Sequence, residues 1–137
     1  MADLTITAAQ VQPGAGSSHT PGTLGETLVA GDLVYLKAAD SRLWKTDADA
    51  AASAAAVGIM LCGGAAGQIG AYQSAGTLTI GAGASVAQGQ TYVVSGNAGK
   101  IAVESDLTTD DYVTILGVGN DADGIELDIN VTGIAHV

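Results

Sequence analysis

The chain has no phenylalanine, one tryptophan, one cysteine, two prolines and four basic residues in 137. Each shortage excludes something. With Cys62 alone no intrachain disulfide is possible, and its setting, Ile59-Met60-Leu61-Cys62, predicts a structural thiol inside a buried strand. Four bases against 14 acids leave a formal net charge of -10. A nucleic-acid binder needs cations to displace counterions from phosphates, so DNA and RNA are excluded as partners, and anionic membrane surfaces are disfavoured for the same reason. No apolar run approaches the length that spans a bilayer, and no basic segment leads into an apolar one, so the expectation is a soluble chain made in a cytoplasm. The core, lacking Phe, must be built from Val, Ile and Leu packed closely among Ala and 20 Gly, which suits thin β layers in one domain over residues 1–137.

What is present organises around residues 25–44, GETLVAGDLVYLKAADSRLW. Leu28-Val29 leads into Gly31-Asp32, then Leu33-Val34-Tyr35-Leu36, a polar turn at Ala39-Asp40-Ser41 and a second apolar pair, Leu43-Trp44. That order predicts strand, turn, strand. Upstream, Leu4-Thr5-Ile6-Thr7 alternates and predicts a further strand. Residues 8–24, rich in Gly, Pro and Ser, predict a long loop or arm, since Pro13 and Pro21 would each remove a donor from a sheet ladder. Downstream, the alanine-rich stretch 50–56 behind Asp47 and Asp49 predicts a short helical turn. Residues 57–61 predict a buried strand ended by Gly63-Gly64, and residues 69–72 begin another that ends at Ser74-Ala75-Gly76.

From Thr77-Leu78-Thr79-Ile80 onward the features recur in order. Gly83 and Gly89 follow Gly25 and Gly31 by 58 positions (83 − 25 and 89 − 31), Tyr92-Val93-Val94 falls on Val34-Tyr35-Leu36, and Lys100-Ile101 falls on Arg42-Leu43. Leu116-Gly117-Val118 falls on Val57-Gly58-Ile59 after a shift of one, and Leu127 and Ile129 fall on Ile69 and Ala71. The chain therefore reads as two five-strand repeats, about 4–76 and 78–133, closing into one all-β domain: a β-sandwich, jelly-roll-like, or a flattened barrel. Gly31 and Gly89 are expected at equivalent positions that favour a left-handed backbone.

Candidate chemistry is sparse. Gly117-Val118-Gly119 and Gly81-Ala82-Gly83 lack the following helix and lysine of a phosphate loop and read as turn glycines. Asp121-Ala122-Asp123-Gly124 resembles part of a calcium loop, but Glu126 comes too early for the bidentate position, and a tight turn accounts for it; whether Asp121 and Asp123 hold a cation stays open. His19 and His136, one in the arm and one near the end, make no nucleophile-base set. No catalytic, cofactor-binding or metal-ligating residue is assigned, and no enzyme is expected. The eight acids between Glu104 and Asp128, without a single base among them, read as a solvated face.

The opening Met1-Ala2-Asp3-Leu4-Thr5-Ile6-Thr7, the run Val29-Ala30-Gly31-Asp32-Leu33-Val34-Tyr35-Leu36, the acidic Ala-rich residues 47–56 leading into Val57-Gly58-Ile59, and Leu116-Gly117-Val118 before a final strand resemble the head decoration, or cement, proteins of tailed bacteriophages. The resemblance implies a β-rich structural protein without cofactor, made in the bacterial host cytoplasm. It also implies a place on the capsid exterior, where a homo-oligomer (dimer or trimer) binds the major capsid protein and stabilises contacts between its subunits. A tail, baseplate or fibre-associated β module and a carbohydrate-binding β-sandwich are the alternatives. The partner-binding residues expected here are Leu4, Ile6 and Val11 along the N-terminal strand and arm, with Trp44 partly exposed near a contact because its counterpart in the second repeat is Ala102.

Overall fold

The computed structural model describes residues 3–81, 84, 86–121 and 123–136. Short apolar runs between glycine-rich turns give ten strands: β1 (Gln12–Pro13), β2 (Ser18–Thr23), β3 (Leu33–Lys37), β4 (Arg42–Lys45), β5 (Ala56–Cys62), β6 (Ile69–Thr79), β7 (Thr91–Val94), β8 (Ile101–Val103), β9 (Tyr112–Asp121) and β10 (Gly124–Ala135). One helical turn, α1 (Ala51–Ala54), joins β4 to β5. All ten strands belong to one antiparallel sheet, whose main path β4-β3-β5-β6-β10-β9-β7-β8 curls into a half-barrel. The chain is all-β, in the manner of a flattened barrel.

β6 is the strand on which the others are assembled. Its residues 71–73 have β5 on one edge and β2 on the other, and its residues 78–79 have β10 and β1. The sequence splits this strand in two at Ser74-Ala75-Gly76, whereas the structure carries it through. Gly76 adopts φ +87°, which a glycine does without strain, so the ladder continues across the irregularity.

Two N-terminal expectations are corrected. Residues 8–24 are not a free loop: Gln12 pairs with Thr79, Pro13 with Leu78, and Ser18 to Thr23 run along Ala75 to Ile69. An edge strand needs ladder bonds on one side only, so both prolines fit. Ser18, His19, Thr20 and Pro21 are all exposed, which is why no apolar alternation announced the strand. Conversely, Leu4 to Thr7 form no ladder; a single bridge, Asp3 to Ala102, and the bond from the Leu4 N–H to the Ile101 carbonyl (2.8 Å) fasten this segment beside β8. The Asp3 carboxylate accepts from the Ser95 hydroxyl (2.5 Å) and the Asn97 side-chain amide (2.7 Å), closing the β7–β8 turn over the N-terminal segment.

Four strands of each half recur in the same order, where five were expected, and β1 and β2 have no counterpart in the second half. β4-β3-β5-β6 and β8-β7-β9-β10 have the same order of pairing. The β3–β5 ladder breaks register between Val34 and Tyr35, and the β7–β9 ladder breaks it between Tyr92 and Val93, 58 positions later (92 − 34), with Gly58 opposite Val34 and Gly117 opposite Tyr92. Gly31 and Gly89 both take positive φ, +95° and +80°; Gly83 lies outside the described residues. The correspondence stops at the ladders. Val34 points into a small cluster with Leu24, Leu28, Leu43 and Met60, whereas Tyr92 enters the main core. That core draws Leu33 and Ile59 from the first half and Val94, Ile101, Leu116 and Ile125 from the second, so the halves share one interior.

Cys62 is also corrected: it is the last residue of β5 and exposed, because the strand runs past the edge of the core that covers Ile59 and Met60.

A charge-free face around β6 as the candidate functional site

The four residues expected to bind a partner are used differently. Val11 is buried in the main core, and Leu4 and Ile6 are half-buried against it. These three hold the N-terminal segment onto the body. Trp44 is half-buried, as expected of its exposure, and stands opposite Tyr35 across β3 and β4. Its indole N–H donates to the Asp40 carboxylate at 3.1 and 3.3 Å, and the Lys37 ammonium lies 4.5 Å from the ring centroid. On another side the ring closes on Gly25, where a β-carbon would stand 2.3 Å from two indole atoms. With its N–H engaged and its faces occupied, the tryptophan fastens Gly25 to the β3–β4 hairpin and offers no stacking platform to a sugar.

The structure brings together something else. Two long stretches, residues 4–25 and 50–99, contain no Asp, Glu, Lys or Arg. Far apart in the chain, they meet on β6: β1 and β2 come from the first stretch, and β5 and β6 from the second. The loop between β5 and β6 extends the surface. Leu24 donates to the Gln68 carbonyl (2.8 Å), Gly67 donates back to Leu24 (2.8 Å), and Leu28 and Gly64 exchange a pair of bonds (3.0 and 2.9 Å). The outcome is an uncharged band of neighbouring strands and loop, rich in Ser, Thr, Gly, Ala and Gln, with Cys62 and Ile69 exposed on one of its faces, Ile69 at 74%. β7 comes from the same stretch but is mostly buried, so it adds little to it.

Charge begins where this surface ends. On β10, Glu126 stands opposite Thr77, whose hydroxyl donates to its carboxylate (2.7 Å), and Asp128 stands opposite Ala75. Beyond, Asp47 and Asp49 precede α1, and Asp110 and Asp111 precede β9. The Asp49 carboxyl is held above its ordinary range, first by the Asp47 charge, then by burial, by Asp111 and by its hydrogen bond with Asp47. Asp49 does not cap α1: its own N–H donates to the Asp47 carboxylate (3.0 Å), and Ala50 stands at the cap without a side-chain bond.

Among the described residues no cleft of ligand size is present, and no three His, Cys, Asp or Glu side chains stand close enough to share a metal ion. The Asp121 side chain and Ala122 of the acidic turn lie outside the described residues. No helix among the described residues is long and apolar enough to cross a membrane. Compared with protein-family models, with curated proteins and with solved structures, the chain finds no match in any of the three.

Proposed function

We propose that this protein is a structural binding module that seats its charge-free face on a larger protein assembly and turns its acidic side to solvent. The observation that supports this reading is the segregation of charge about β6: four strands and a loop without an ionisable Asp, Glu, Lys or Arg, bordered by Glu126 and Asp128. Burying an uncharged, hydrogen-bonded surface of this kind leaves no stranded charge, and interface cores are depleted in Lys, Glu and Asp. The acidic remainder repels further copies and keeps the decorated assembly soluble.

The resemblance to tailed-phage decoration proteins makes the assembly the exterior of a phage head, with the major capsid protein as partner and stabilisation of its subunit contacts as the purpose. The N-terminal segment contributes through β2, as part of the face, and not as a free arm. Truncating residues 1–23 would remove Val11 from the core and strip β6 of both β1 and β2, so point substitutions are the better test. His19→Glu and Ile69→Lys, exposed side chains on the same face of the β2–β6 ladder, should leave the fold intact by circular dichroism and abolish binding to undecorated heads. Asp106→Asn with Asp110→Asn, on the acidic side, should leave binding unchanged. Heads decorated equally by all variants would refute this reading, and decoration confined to tails or baseplates in electron micrographs would transfer the role to that part of the virion.

A further inference from the structure

We infer that the β3–β4 hairpin holds a two-pronged site for carboxylates, formed by Lys37 and Arg42 beside Trp44, and that its occupant is a short acidic segment of another protein. The chain has only four bases, and three of them, Lys37, Arg42 and Lys45, fall on this one hairpin. Lys37 stands directly opposite Arg42, and Tyr35 directly opposite Trp44, so these side chains share one face of the ladder. Like charges set opposite each other cost a sheet stability unless an anion compensates them. The chain supplies none: it has 14 acids, yet none of its bases makes an ion pair among the described residues.

The two acids that reach the hairpin are engaged with N–H groups instead. Asp40, in the turn, accepts from the Arg42 backbone N–H (3.0 Å) and from the Trp44 indole N–H (3.1 and 3.3 Å), and Glu26 accepts from the Lys45 backbone N–H (2.9 Å). Trp44 is thus a positioning residue: its N–H holds Asp40, and its ring carries the Lys37 ammonium 4.5 Å from the centroid. Arg42 is exposed, and a guanidinium takes a carboxylate through two parallel N–H bonds, with the Lys37 ammonium as a point charge beside it. The rest of the molecule selects the occupant. At net charge -10 it repels a long polyphosphate, whereas a few carboxylates stay within about 8 Å of the fork, beyond which physiological salt screens the remaining acids. The fork lies at the border of the uncharged band, where the Gly25 N–H donates to the Leu43 carbonyl (2.8 Å) and the Trp44 ring closes on Gly25. For the identity of the partner the inference rests on the reading of that band as a seat: the partner presents acids beside its uncharged contact, and the fork steers their approach. The carboxylate site itself is testable without that reading.

The test titrates hexaglutamate into the full chain at about 20 mM and about 300 mM salt, followed by Trp44 fluorescence and by the amide chemical shifts of residues 35–45. The expected result is a saturable change at low salt, centred on the hairpin and weakened at least about threefold at high salt. Lys37→Gln and Arg42→Gln should each weaken binding by about threefold to fivefold, and Asp40→Asn, which keeps an acceptor in the turn and removes its negative charge, should tighten it. No saturable change, or one that Arg42→Gln leaves as it was, overturns the inference. So does tighter binding of an oligothymidylate than of hexaglutamate, and so does a dimer in sedimentation that Arg42→Gln dissolves, which would give the fork to the acids of a second copy. On undecorated heads Lys37→Gln and Arg42→Gln should slow association and flatten its salt dependence, whereas His19→Glu and Ile69→Lys should abolish it. Heads indifferent to His19→Glu and Ile69→Lys refute the seat and leave a positive peptide titration standing; heads that lose binding only to those two, with no peptide titration, refute the fork and leave the seat.

Discussion

Replacing Gly31 and Gly89 by alanine, one at a time, separates backbone strain from packing, because the two glycines share a conformation and differ in what surrounds them. At Gly89 (φ +80°) a β-carbon would meet nothing within 4 Å, so Gly89→Ala carries only the left-handed strain, about 1–2 kcal/mol. At Gly31 (φ +95°) the β-carbon would stand 2.6 Å from Cγ2 of Ile6 and 3.4 Å from Cγ2 of Val11. Overpacking of that kind adds about 1–3 kcal/mol, for a total of about 2–4 kcal/mol. For a domain of this size each kcal/mol lowers Tm by roughly 3–5 °C, so thermal and urea unfolding followed by circular dichroism resolve the difference. The decisive step is a double-mutant cycle: Ile6→Ala removes the clashing methyl, so the double variant should be more stable than the two single losses predict, by about 1 kcal/mol or more. Equal losses at the two glycines with no coupling to Ile6 would mean that the N-terminal segment is not docked on the turn at Gly31, and the account of Leu4, Ile6 and Val11 as core residues would fall with it.

Cys62, exposed at the end of β5, should react promptly and stoichiometrically with a thiol reagent in the native protein; a reaction that requires denaturant would return it to the interior. Tyr92→Phe should lower unfolding free energy by about 1–2 kcal/mol, because its buried hydroxyl accepts the Ala87 N–H at 2.9 Å; no loss in chemical denaturation would contradict that bond. Asp49→Asn should stabilise the protein slightly at neutral pH. A carboxyl whose folded value is raised disfavours folding while ionised and is relieved as pH falls through that value, so the gain should vanish in acid, and a gain that persists there would refute the role of Asp47 and Asp111.

The β class, the hairpin of residues 33–45, the helical turn after Asp49 and the 58-residue echo were legible in the chain because each rests on local chemistry: alternation, β-branching, turn residues and spacing. So was the charge imbalance, which needs only counting. The strand at Ser18 to Thr23 was not legible, since an edge strand wet on both faces has no apolar period and tolerates the prolines that suggested a loop. Nor could the chain reveal that Val34 and its echo Tyr92 fill different clusters, because a residue's face is fixed by the layer packed against it. The candidate site lies furthest from local rules. Residues 4–25 and 50–99 each lack charge in plain view, but whether they form two patches or one depends on which strands flank β6. Backbone hydrogen bonds carry no side-chain label, and a ladder joining Thr20 to Tyr72 or Ile59 to Gln73 is selected by the closure of the whole sheet.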